Sequence, residues 1–174
     1  MRTMLLVLTL LTVTACSRTE PAAPKADGRP VLSLEGYGPV KFGAKLADVA
    51  QKLGAGAEPS GASAPACSSV RFTALPGVRL MVENGIVTRA DADPGTANSL
   101  ALKVGDTLAQ AKARYPQLEV GPHKYVPAGH YLTVKSPDGR AAIVMEEDGK
   151  AITRIRAGLQ PAVAYLEGCR QAEV

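Results

Sequence analysis

The sequence predicts an α+β protein: two tandem helix-plus-antiparallel-meander repeats forming a shared sheet with helices on one face. Two internal matches predict it. Val40-Lys41-Phe42-Gly43-Ala44-Lys45-Leu46 is echoed by Leu102-Lys103-Val104-Gly105-Asp106-Thr107-Leu108, an offset of 62 positions that runs on to Gly54 and Pro116. Farther along, Met81 to Arg89 is matched by Met145 to Arg154, with one extra residue in the second copy. Helical spacing comes first in each copy and turn dipeptides between apolar runs come after, so the self-similarity marks a repeated supersecondary unit.

The chain opens with Met1-Arg2-Thr3, an apolar run from Met4 to Val13, and Thr14-Ala15-Cys16. A positive residue, an apolar run and small residues before a cut make residues 1–15 a secretory signal. The run is too short to span a bilayer, which takes about 20 residues. Residues 16–30 carry prolines and small side chains with almost nothing to bury, and read as a flexible tether. Repeat 1 then occupies 31–97, and repeat 2 with a C-terminal tail occupies 98–174.

In repeat 1, Leu46, Val49, Ala50 and Leu53 form one apolar stripe at helical spacing. Leu108, Ala111, Lys112 and Tyr115 keep that spacing in repeat 2, less purely. Gly43 and Gly105 break the chain ahead of the helices, Asp106 or Thr107 can cap the second, and Gly54 and Pro116 stop them. Asn84-Gly85 joins strands at 78–83 and 86–91, and Asp148-Gly149 joins 142–147 to 151–156, both read as two-residue turns with positive φ. Pro137-Asp138-Gly139 joins 130–135 to 141–145, and Leu75-Pro76-Gly77 joins 69–73 to the strand at Val78. Each copy is then a helix on three strands, and 55–66 reads as a soft Gly/Ala/Ser/Pro loop.

A formal net charge of +4, one unit of which leaves with Arg2 in the leader, is too weak and mixed for a nucleic-acid partner. With no tryptophan, two phenylalanines and five tyrosines, the core has to be aliphatic. Cys67 and Cys169, 102 positions apart, form the pair left over after Cys16, and an exported chain meets an oxidising compartment where such a pair is normally bonded. The alternatives are two buried thiols or a redox pair, although no Cys-x-x-Cys spacing occurs. Pro161 to Cys169 is expected to return to the domain edge to reach Cys67.

Val13-Thr14-Ala15-Cys16 resembles the bacterial lipobox. That resemblance implies a lipidated Cys16 anchoring the protein to a membrane, with Ser17 favouring the outer membrane, facing the periplasm, over the inner one. The folded part resembles the SmpA/OmlA (BamE-like) lipoprotein domain and its tandem relatives of the β-lactamase inhibitory protein type. The matching positions are Val40, Phe42, Gly43, Val49, Leu53, Gly54, Asn84 and Gly85, then Leu102, Val104, Gly105, Asp106, Thr107, Asp148 and Gly149. In such families the sheet surface and its loops bind other proteins. The chain departs from the pattern at Lys45, where Thr is usual, and aromatic residues for a binding sheet are sparse.

Both histidines fall in Gly121-Pro122-His123-Lys124-Tyr125-Val126-Pro127-Ala128-Gly129-His130-Tyr131. Read plainly this is a connecting loop; read for function, His123, Lys124, Tyr125, His130 and Tyr131 are the candidate partner-binding residues. No metal site is expected there, since no further ligand stands at useful spacing. Asp91 and Asp93 on one side of a strand end, and Glu146-Glu147-Asp148 at a hairpin, read as solvated charges. Ser68 and Ser69 carry no nucleophile motif, and no phosphate loop or dinucleotide fingerprint appears, so no cofactor is expected. The leading reading is a non-catalytic envelope lipoprotein that binds another envelope protein as scaffold or inhibitor. The alternatives are a small-ligand or cell-wall binding module in the crevice between copies, or a hydrolytic enzyme in which His123 or His130 meets Asp91, Asp93 or another acid in a pocket.

Overall fold

The computed structural model describes residues 28–54, 56–64 and 66–170; the leader, Cys16, Ser17 and most of the tether lie outside the described residues. The elements run β1 (Gly36–Tyr37), β2 (Val40–Lys41), α1 (Leu46–Leu53), β3 (Glu58–Ala64), β4 (Cys67–Arg71), β5 (Val78–Glu83), β6 (Ile86–Ala92), α2 (Leu108–Arg114), β7 (Glu119–Pro122), β8 (His130–Lys135), β9 (Ala141–Glu147) and β10 (Ile152–Leu159). Two short 3₁₀ turns, Ala162–Ala164 and Gly168–Arg170, follow. β1 and β2 pair as a ribbon, and the other strands form one antiparallel sheet in the order β3-β4-β5-β6-β10-β9-β8-β7. The protein is therefore α+β and mostly sheet. No helix among the described residues is long and apolar enough to cross a membrane.

Two meanders, β3 to β6 and β7 to β10, meet where β6 pairs with β10 through Asp91↔Arg156, Ala90↔Ala157 and Arg89↔Gly158. Gly158 permits that contact, because a Cβ there would stand 2.5 Å from the Thr88 carbonyl oxygen and 2.8 Å from Arg89 Cα. Leu80 and Val82 of β5, Val87 and Ala90 of β6, and Ile143 and Met145 of β9 point into one aliphatic core. Val49 of α1 and Ala111 of α2 join the same core, as the apolar stripes predicted. Thr107 caps α2 by accepting from Gln110 N at 3.2 Å, while the Gln110 side chain accepts from Thr107 N at 2.7 Å. Lys45 offers α1 no such cap, and Gly54, at φ 66°, ends it.

The two halves share backbone detail. Gly43 N donates to Val87 O at 2.8 Å and Val87 N to Ala44 O at 2.9 Å; Gly105 N donates to Ile152 O at 2.9 Å and Ile152 N to Asp106 O at 2.8 Å. Thr88 and Thr153 are each the extra residue where the register slips. Their hydroxyls donate to the facing carbonyls of Met81, at 3.5 Å, and Glu146, at 3.2 Å.

Three expectations need correction. The segment read as a soft loop contains β3, which pairs Glu58 with Arg71 and Ala64 with Cys67. Its Gly, Ser and Pro residues have poor strand propensity, but an edge position asks for hydrogen bonds on one side only, so context overrides composition. Likewise Glu119–Pro122 forms the opposite edge strand, so each meander has four strands. Finally, of the two dipeptides read as two-residue turns, only Asn84-Gly85 makes one, with φ of 50° and 79°. The β9–β10 loop runs from the Glu147↔Ile152 pair over four residues, because the Asp148 carboxylate accepts from Lys150 N at 2.9 Å and Ala151 N at 3.0 Å.

The face opposite the helices is not open. Beyond β10 the chain turns back across it: Val163 packs on Ala142 and Val144, and Ala162 on Met81. The tail crosses the face and reaches the domain edge as expected, its last turn, Gly168–Arg170, lying against β3 and β4, and there the Cys67 and Cys169 sulfurs stand at disulfide distance, 2.13 Å.

Candidate functional site

The loop between β7 and β8 is held from inside. His123 N donates to Gly129 O at 3.0 Å, and His123 Nδ1 accepts from Tyr125 N at 3.1 Å and Val126 N at 3.2 Å. An accepting Nδ1 leaves the ring proton on Nε2, which faces Glu146 Oε2 at 3.8 Å. The ring stacks on Tyr131, with centroids 4.5 Å apart and planes 19° from parallel. Gly149, at φ 92°, lets the β9–β10 loop approach Ala128, whose Cβ would be 2.8 Å from an added Cβ. Out of this frame projects Tyr125, 57% exposed. Its hydroxyl donates to Glu167 of the tail at 2.7 Å, which holds that carboxyl below its usual range, and Lys124 Nζ sits 4.9 Å from the ring centroid.

Of the five residues singled out in sequence, the structure gathers His123, Lys124, Tyr125 and Tyr131. His130 is sent elsewhere: adjacent strand residues face opposite sides, and its Nδ1 lies 2.8 Å from Glu147 Oε2 on the other face. Asp91 and Asp93 do not act as a pair either. Asp91 accepts from Arg89, and Asp93 takes both Arg71 nitrogens at 2.7 Å. The reading of Glu146-Glu147-Asp148 as solvated fails for the first two, which are 8% and 2% exposed. Every residue of β9 is buried, with Glu146 held by Arg156 and Glu147 facing His130, so of the three only Asp148 is exposed.

Sequence reasoning missed the arginines beneath the tail. Arg89, 5% exposed, donates to Ala162 O at 3.3 Å, Tyr165 O at 2.5 Å and the Asp91 carboxylate. Arg156, 3% exposed, donates to Val163 O at 2.7 Å and to Glu146 Oε1. Burial first, and then the charge of Arg89, lowers the pKa of Arg156; the Glu146 and Asp91 carboxylates oppose that shift. The available signal was an arginine inside an apolar strand run, as in Ile155-Arg156-Ala157. Between this part of the sheet and the 166–170 stretch of the tail lies a polar crevice of about 510 Å³, into which Arg79, Arg154 and Arg170 also point. Among the described residues no group of three His, Cys, Asp or Glu side chains could hold a metal ion.

Comparison of the chain with protein-family models, with curated proteins and with solved structures finds no match.

Proposed function

We propose that the chain is a non-catalytic envelope lipoprotein, anchored in the outer membrane through Cys16 and facing the periplasm, whose folded part binds another envelope protein. One observation carries the binding reading: Tyr125 is an exposed aromatic on a loop held rigid by His123 and tied to the tail through Glu167. A large ring ordered before contact loses little entropy on binding, which is what an interface anchor needs. We read the folded part as two tandem copies of one unit of the SmpA/OmlA type, at 31–97 and 98–174. The paired Gly43–Val87 and Gly105–Ile152 bonds and the twin threonine bulges support that division.

Cross-linked pull-down from envelope extract, with the lipidated chain as bait, tests the binding. Capture of one repeatable partner that is lost with Tyr125→Ala supports the reading, and a capture pattern indifferent to Tyr125 removes it. Labelled palmitate tests the anchor separately, and an unlabelled Cys16 overturns it. The crevice under the tail favours a second reading, a ligand-binding module.

A further inference from the structure

Five arginines and three carboxylates surround the crevice between tail and sheet, and the carboxylates are already engaged. Asp91 holds Arg89, Glu146 holds Arg156, and Glu167 accepts from Tyr125. Three guanidinium groups are left facing the space. The guanidinium groups of Arg79 and Arg170 donate no hydrogen bond to any described residue, and Arg154, 74% exposed, approaches Glu146 no closer than 3.8 Å. The strand register sets their spacing: Arg79, Asp91 and Arg156 lie in one cross-strand row, and Arg154 is two residues along β10 on the same face. The opposite wall is fixed by the Cys67–Cys169 link, which pins the tail beside Arg170.

We propose that this crevice is an anion site, taking a carboxylate or a phosphate between the guanidinium forks of Arg79, Arg154 and Arg170. Guanidinium groups present paired N–H donors that match the two oxygens of either group. The buried Arg89 and Arg156 form the floor, each paired with a carboxylate and each bonded to a tail carbonyl, so the floor is fixed and its charge is already compensated. A space of about 510 Å³ suits one compact anion or a side chain or two bearing it, not an extended polyanion. The site does not depend on the Tyr125 reading, since it uses other residues and a different occupant.

The test is calorimetric titration of the mature chain at low salt with inorganic phosphate, succinate and a triglutamate peptide. Saturable one-site binding of at least one probe is expected, and which probe binds distinguishes phosphate, a small carboxylate and an acidic peptide. Arg79→Gln combined with Arg154→Gln, both at accessible positions that leave the buried pairs intact, should weaken binding at least about tenfold. Arg140→Gln, in the exposed β8–β9 turn, should leave it unchanged. Absence of saturable binding for all three probes overturns the proposal. So does binding unaffected by the double substitution, or weakened equally by R140Q.

Discussion

At the scale of single residues, the buried Arg156–Glu146 pair is the most consequential polar contact in the molecule. Taking two charges out of water is costly, and the pair survives because Val163 O takes a further donor of the guanidinium. Removing one partner leaves the other charge buried without its hydrogen bond. Arg156→Met is expected to cost about 3–5 kcal/mol in urea unfolding, and adding Glu146→Gln should recover part of the loss. An effect of the single substitution below about 1 kcal/mol would show that Glu146 finds water or another cation instead. The Arg71–Asp93 pair is a milder case, with both side chains over a third exposed. The two hydrogen bonds from Arg71 hold the Asp93 carboxyl below its usual range. A depressed folded pKa adds stability above the unfolded value of about 3.9 and loses it as pH falls through the folded value. Asp93→Asn should therefore lower the melting temperature slightly at pH 7, with the gap closing as the pH is taken well below 4. A gap that persists in acid would place the effect in packing rather than in the carboxylate charge.

At the scale of elements, the β6–β10 pairing and the tail are the two joints. Gly158→Ala puts a methyl group against the Thr88 carbonyl, so the strands have to separate. The expected cost is about 1–3 kcal/mol, with amide exchange accelerated first along 89–91 and 156–158. Faster exchange confined to β3 or β7 instead would show that the joint tolerates the methyl. The tail is held by three kinds of contact: Val163 and Ala162 packing, arginine-to-carbonyl bonds, and the Cys67–Cys169 link. Paired Cys67→Ser and Cys169→Ser substitutions remove a crosslink that closes a long loop, worth about 2–4 kcal/mol. Calorimetric melting should record that loss while the sheet signature in circular dichroism remains. Loss of the sheet itself would mean that the link is required for folding.

At the scale of the whole molecule, the halves form one body. Their meanders are continuous through β6 and β10, and Val49 and Ala111 pack in one core with residues from both. A half of about 70 residues would expose a central strand edge and one side of that core. Expressed separately, 31–97 and 98–174 are each expected to lack a cooperative thermal transition. A sharp transition in either alone would show that the units are autonomous. The same continuity explains why the buried arginines collect on the face away from the helices. The helix side is filled by aliphatic packing, whereas the tail side is crossed by backbone whose carbonyls need donors, and arginines can supply them.

The elements with strong local signals were legible in the sequence. These were the two helices from apolar spacing and the stops at Gly54 and Pro116, and the Asn84-Gly85 hairpin from its need for positive φ. The aliphatic core and the Cys67–Cys169 pair followed from composition and cysteine count. The edge strands β3 and β7 were not legible, because their residues favour turns and only pairing with a neighbour makes them strands. Nor was the split between His123 and His130: the strand at 130–135 was read, but which ring meets which carboxylate depends on the register of β8 against β9 and on the fold of the loop before it. The arginine-lined crevice was the least legible of all. Arg79, Arg89, Arg154 and Arg156 are scattered over two meanders, and only strand register and a tail folded across the sheet bring them together. Sequence by itself determined what depends on neighbours within a few residues; the tertiary structure decided what depends on which strands pair and what covers them, since burial and charge proximity are properties of the assembled sheet.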